Sequence, residues 1–386
     1  MLQEAFRGGR RYWILVGIWA VLLLVGLIAY SRQLSEGLHI TGMSRDVTWG
    51  LYISQFTFLV GVAASAVMVV LPYYLHNYKA FGKMVILGEF LAVSAVLMCM
   101  LFIFVDLGQP MRVMNVILHP TPSSVMFWDM LVLTGYLVLN LVIGALTFEA
   151  ERKGGVPPKW IKPLIYLSIP WAVSIHTVTA FLYSGLEARP FWLTAILAPR
   201  FLASAFASGP SLLILLALIL RNVSRFDPGK QAIEKLSTIV AYAMAINLFF
   251  VLVELFTGLY SDMPHHLHHF EYLFVGLHGH AALVPWMWAS ALLTVACVVL
   301  LLVPKVRRQE KFLGILCVGV IVAIWIEKGM AMVVTGFIPS PLGKITEYRP
   351  TAPEIAITVG VYALGFLVLT MLYKMVVSIR ERLEVT

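Results

Sequence analysis

The chain has 386 residues, 60% of them apolar and only 12% charged, with a mean hydropathy of +0.88. That much apolar surface is more than a soluble domain of this length needs, and the absence of strand alternation argues against a membrane barrel. The formal net charge of +8 follows from membrane topology, as the loops below show, and makes no case for nucleic acid.

A bilayer core takes about 20 apolar residues per helical span. Ten stretches meet that requirement, roughly at 12–30, 51–75, 84–105, 125–147, 160–184, 204–220, 236–256, 276–302, 312–336 and 355–378. The expected fold is an all-α polytopic membrane protein with ten transmembrane helices, forming a single integral membrane domain over 1–386. Most of the 28 Lys and Arg lie at the N-terminus, at the C-terminal tail and in alternate loops: Lys79 and Lys83, Arg152 to Lys162, Arg221 to Lys235, and Lys305 to Lys311. Positive flanks stay inside, so both termini are expected on the cytoplasmic side of the cytoplasmic (inner) membrane. The first segment is long and no A-x-A-like site follows it, so it reads as retained.

Segment one, Tyr12 to Tyr30, is apolar all round and reads as peripheral and lipid-facing. Segment two opens WGLYISQFTFLVGVAASA, where Ser54, Gly61 and Ser65 form a small-residue stripe for close helix approach. Trp49, Tyr52 and Gln55 stand on it as packing or ligand-facing groups. Segment three carries Glu89 in its cytoplasmic half, a candidate for proton transfer or for a hydrogen-bonded structural acid. It ends in DLGQPMR, a turn signal.

Segment four begins SSVMFWD, with Trp128 beside Asp129. Asp129, Leu133, Tyr136 and Asn140 sit at i, i+4, i+7 and i+11, so a carboxylate, a phenol and an amide share one stripe. In segment five His176, Thr179 and Tyr183 share one helical face. The connection LEARPFWLTAILAPRF that follows is aromatic and reads as lying along the membrane interface.

Segment seven places Asn247 and Glu254 on one face. The loop MPHHLHHFEYLF after it invites a metal reading at His265, His266, His268 and His269. No Cys or carboxylate spacing supports one, so no metal is expected. His278 and His280 read as the start of segment eight. In segment nine, WIEKGM sets Glu327 and Lys328 side by side, to pair with each other or with partners in the bundle. Cys99, Cys297 and Cys317 each fall in an apolar span and form no CxxC, CxxCH or ferredoxin run. The chain by itself therefore cannot hold an iron–sulfur cluster or c-type haem.

Asp129, His176, Tyr183, Glu254, Glu327 and Lys328 come from distant spans but map to the outer half; Glu89 maps to the inner half. Such a layer suits a lipid-soluble ligand with two polar oxygens on an aromatic ring, as a quinone has. Glu89 and Glu254 are candidates for a proton path.

The chain resembles the NrfD/PsrC family of polysulfide reductase membrane subunits. The resemblance rests on WGLY with Phe58 and Gly61, DLGQPMR, SSVMFWD, SIHTVTAFLYSG with RPFW, WIEKGM and EYRPTAPE, which together span segments two to ten. Within the family the likeness is nearest the branch serving the sulfite-reduction-associated DsrMKJOP transmembrane complex. It implies two four-helix bundles, 51–184 and 185–336, with a flanking helix and outer loop over 1–50 and a flanking last helix over 337–386. It implies a subunit, not a self-sufficient enzyme, that exchanges electrons between menaquinone or menaquinol and a periplasmic ferredoxin-like iron–sulfur subunit, without haem or cluster of its own. Wider partners would be a haem b membrane subunit, a triheme cytochrome c and a cytoplasmic iron–sulfur subunit. Asp129 and His176 match family positions for the catalytic role, with Trp49, Tyr52, Gln55, Trp128, Tyr136, Tyr183, Glu327 and Lys328 as cofactor-binding candidates. The sequence departs from members with a quinone-contacting His where Gly50 stands, and from others with an Asp near Tyr183. A secondary transporter or proton channel stays open as an alternative. So does a haem b cytochrome using His176 with His280.

Overall fold

The computed structural model describes residues 5–6, 8–155, 157–224, 226–261 and 263–383. Ten of its helices are long and apolar enough to cross a membrane. A chain in lipid must satisfy its backbone polar groups internally, so each apolar run closes as a helix. The spans are α1 (Arg10–Glu36), α2 (Leu51–Leu75), α3 (Gly82–Asp106), α4 (Val125–Arg152) and α5 (Ile161–Ser184). They continue with α6 (Leu197–Val223), α7 (Lys230–Tyr260), α8 (Val284–Leu302), α9 (Glu310–Thr335) and α10 (Ala352–Leu383). The described residues contain no β-strand, only an isolated bridge between Leu277 and His280.

Helices α2 to α5 close one four-helix ring and α6 to α9 a second. The rings meet where α2 and α5 pack on α6 and where α2 meets the 325–331 stretch of α9. Helices α1 and α10 pair with each other and lean on α3. Glycine allows that pairing: a Cβ on Gly26 would stand 2.5 Å from the Cα of Gly360. Two spans are irregular. Helix α2 is interrupted by a turn at 64–66, and Ser65 there lies against Gly209 of α6. In α9 the residues Trp325–Ala331 form a π-helical stretch, a widening often found at functional sites.

Connections 37–50, 107–124, 185–196, 261–283 and 336–351 gather on one face, called the long-loop face here. The short connections lie on the opposite face, where α1 begins and α10 ends.

Several boundaries differ from the sequence reading. Helix α6 begins at Leu197, not near 204, so Arg200 belongs to a membrane helix. Helix α8 begins at Val284, and His278 and His280 lie in the turn before it. The His-rich segment is a helix, Pro264–Phe274, not a loop. The 185–196 connection is not exposed along its whole length. Its turn Pro190–Trp192 folds inward, and the Trp192 side chain is fully buried.

Candidate functional site

In the first ring, α4 and α5 face each other near the long-loop face. The Thr179 hydroxyl donates to Asp129 Oδ1 at 2.7 Å. One turn deeper lies His176, fully buried, with neither ring nitrogen partnered. Towards the loops, Tyr183 Oη and Thr57 Oγ1 share a hydrogen bond of 2.5 Å, joining α5 to α2. The carboxylate, imidazole and phenol foreseen on two helical stripes therefore stand near each other, in the first turns of α4 and the last turns of α5.

An aromatic cap closes this layer. Trp49 meets Tyr183 edge-on at 5.4 Å and stacks on Trp192 at 5.7 Å, and Phe337 packs edge-on against both tryptophans. Trp192 is fixed by donating from Nε1 to Met332 O of α9 at 2.9 Å. Trp49 is the part-exposed member of the cap. Behind the layer, Lys328 donates to Phe201 O at 3.3 Å, with its ammonium 4.3 Å from the Phe201 ring centroid. It lies at the seam of the two rings beside Gly61 and Ser208.

Other anticipated residues are not in this layer. Tyr52 donates to Gln33 Oε1 of α1 at 2.7 Å, and Gln55 Oε1 accepts from Trp325 Nε1 and Tyr362 Oη. Both tie the flanking helices down, because a buried polar side chain takes the nearest partner. Tyr136 donates to Ala63 O, the last residue before the break in α2. Trp128 is 45% exposed and donates to Pro122 O, so it does not line the layer. Glu89 is buried with both carboxyl oxygens unpartnered, near Gly144 of α4.

The second ring is built on charge. Arg200, in the first turn of α6, holds Glu254 of α7 with one guanidinium arm and Glu327 of α9 with the other. All three are nearly sealed from solvent, where an unmatched charge is costly. The sequence reading missed Arg200 because Pro199 and the aromatic connection placed it outside a span. Glu327 and Lys328 are adjacent but unpaired with one another, since consecutive side chains on a helix point to different neighbours.

Two cavities flank this triad. A larger one, about 400 Å³, lies between α7, α8 and the Pro264–Phe274 helix, with Asn247, Ser290 and Glu327 in its wall. A smaller one, about 250 Å³, reaches from Glu254 towards Thr194, Ser261 and His266. Of the four clustered histidines, His269 is buried. Its Nδ1 lies 3.0 Å from Thr335 O and 2.8 Å from Ile338 O, and burial holds its pKa down at about 4. Among the described residues no three His, Cys, Asp or Glu side chains group to hold a metal ion. The three cysteines are free and buried.

The model of the polysulphide reductase NrfD family matches residues 39–338, both rings and most of the long loops. The chain belongs to the NrfD family. Among its relatives is a membrane subunit of the dimethyl sulfoxide reductase type from Halobacterium salinarum, 27% identical over 93% of this chain and 89% of that one. The Hdr-like menaquinol oxidoreductase integral membrane subunit of Archaeoglobus fulgidus is 23% identical over 96% and 95% of the two chains. The menaquinone reductase integral membrane subunit of Nitratidesulfovibrio vulgaris is 21% identical over 92% and 90%.

In this NrfD chain Gly50 has a structural reason to lack a side chain. A Cβ there would fall 2.5 Å from the Tyr348 ring. Tyr348 fills that space: Leu51 N donates to its hydroxyl at 2.7 Å, and the hydroxyl donates to Glu354 Oε1 at 2.8 Å. Burial, helped by the Glu354 charge, pushes the Tyr348 phenol well above its usual range. Glu354 Oε2 accepts from Gly42 N and Thr351 N, so the 336–351 loop is tied to the 37–50 loop. At the rim, a hydrogen bond from Lys344, then one from Thr346, hold Asp46 below the usual carboxylate range.

Proposed function

We propose that the chain is the quinone-interacting membrane subunit of a respiratory redox complex, exchanging electrons between menaquinone or menaquinol and a periplasmic ferredoxin-like iron–sulfur subunit. One observation carries the reading: Asp129 with Thr179, His176 with two unpartnered nitrogens, and Tyr183 with Thr57 lie buried in one layer under an aromatic cap. A quinone ring needs apolar walls and groups that bond its two oxygens. Oxidation of a quinol also releases two protons with its two electrons. Asp129 and His176 are the groups to bond the oxygens and take those protons. Trp49 has to move aside to admit the ring. Menaquinone agrees with the names of the relatives from Archaeoglobus and Nitratidesulfovibrio.

The long-loop face is the docking surface for the iron–sulfur subunit. The basic short loops support a periplasmic position for it, on the outer side of the cytoplasmic membrane. The finer assignment is the sulfur-linked DsrMKJOP type of complex, with a haem b subunit, a triheme cytochrome c and a cytoplasmic iron–sulfur subunit as partners. Its support is the sequence resemblance.

The test is menaquinol oxidation and quinone binding by the purified complex carrying Asp129→Asn or His176→Ala. Both variants should assemble and lose turnover. Unchanged turnover and binding in both would remove the site assignment. Proton conduction is a second reading, favoured by the run Glu327, Arg200 and Glu254 that ends at the smaller cavity. Acidification of liposomes holding the isolated chain would support it.

A further inference from the structure

The larger cavity has an apolar wall with a few polar side chains set into it. It sits in the second ring, apart from the Asp129 layer. Its sides are apolar and open sideways: Leu252, Leu259 and Val295 each leave about half of their surface uncovered at the membrane-facing edge. Its volume of about 400 Å³ lies within the range of small-molecule sites, about 300–1,000 Å³.

Two groups in the wall matter chemically. Asn247 is 2% exposed, and its Oδ1 is completely buried with no hydrogen-bond partner. An unmatched amide in an apolar bundle is costly unless a ligand completes it. Glu327, the carboxylate held by Arg200, lies in the same wall. Ser290 is already engaged, donating to Ala323 O at 2.8 Å, and does not compete for a ligand.

We propose that this cavity is a second binding site for an isoprenoid quinol, with the hydroxyl-bearing ring against Asn247 and Glu327 and the chain leaving between α7 and α8 into lipid. A quinol brings a hydroxyl donor on a flat apolar ring, which answers both the amide and the apolar walls. A phospholipid acyl chain brings no donor to that depth. The site adds to the quinone reading above and takes its ligand identity from it. No electron transfer is assigned to it.

The test uses a photoactivatable menaquinol analogue on the intact purified complex in nanodiscs. The proposal expects labelled peptides from α7 and α8 that unlabelled menaquinol competes away. Ala291→Trp, which fills the cavity, should abolish that label and leave any label near Trp49 and Asp129 unchanged. Asn247→Leu, close in volume, should weaken analogue binding at α7 and α8 by about tenfold, the loss of one buried hydrogen bond. Label near Asp129 with none on α7 and α8 would overturn this site alone. Label on α7 and α8 that phospholipid displaces, or that Asn247→Leu leaves unchanged, would overturn it as well. Absence of label at both places, with no menaquinol oxidation, would remove the quinone reading and this site together.

Discussion

The two four-helix rings are built alike in outline and differ in what holds their polar groups. The first keeps the ionisable side chains buried within it apart, each with a neutral partner or none: Thr179 on Asp129, Thr57 on Tyr183, nothing on His176 or Glu89. The second gathers two carboxylates around one guanidinium. A neutral, half-satisfied layer can take up protons and a ligand's oxygens. A matched ion triad first of all fixes three helices against each other. On the proposed reading, the contrast sets proton-coupled redox chemistry in the first ring against a charge-built frame in the second.

The sharpest way to break that contrast is Arg200→Leu. Two carboxylates would be left buried without a counter-charge, at a cost of about 3–5 kcal/mol. The complex should lose yield and thermal stability, read as the midpoint of detergent-solubilised unfolding, and Arg200→Lys should recover part of it. Equal stability of Arg200→Leu and the parent would mean the triad is not structural.

Protonation of His269 comes next. Its folded pKa of about 4 lies below its ordinary 6.5, so the unfolded chain binds this proton first. The stability tied to neutral His269 is therefore intact above pH 6.5 and falls as pH drops towards 4, by about 3 kcal/mol over that window. Unfolding midpoints measured across pH 7 to 4 should flatten in His269→Gln.

Asp129→Asn should lower menaquinol oxidation by about 100-fold, the lower end for a lost acid–base group. The unfolding midpoint should barely move, because an amide oxygen still accepts from Thr179. A smaller effect belongs to Gly50→His, which must displace Tyr348 and release the 336–351 loop, costing about 1–3 kcal/mol. Faster proteolysis of that loop would report it. Trp128→Ala should be close to silent, within about 0.5 kcal/mol, because the ring is half exposed and off the layer.

Helical periodicity made the span count and the Asp129 and His176 faces legible, since side chains three, four and seven apart must share a side. Periodicity does not say what a side faces. Tyr52 and Gln55 stood on the same helix as the entrance to the layer, but they turn to α1, α9 and α10. Arg200 was hidden by Pro199, which reads as a loop signal, although proline is well tolerated in a first helical turn. Charge matching was the missed signal: Glu254 and Glu327 at similar depth call for a cation besides Lys328. That Trp325–Ala331 would wind as a π-helical stretch was not legible, because such a stretch has no fixed sequence mark.

That stretch sets how the last turn of α9 is registered. Between Trp325 and Ala331 the helix is wound wider than its neighbours. Deleting one residue there would restore ordinary winding and swing every later side chain of α9 by about 100°. Met332 would turn its carbonyl away from Trp192, and Thr335 would turn its own away from His269. A single surplus residue thus phases the aromatic cap against the ion triad, and the lids of both rings are timed by it.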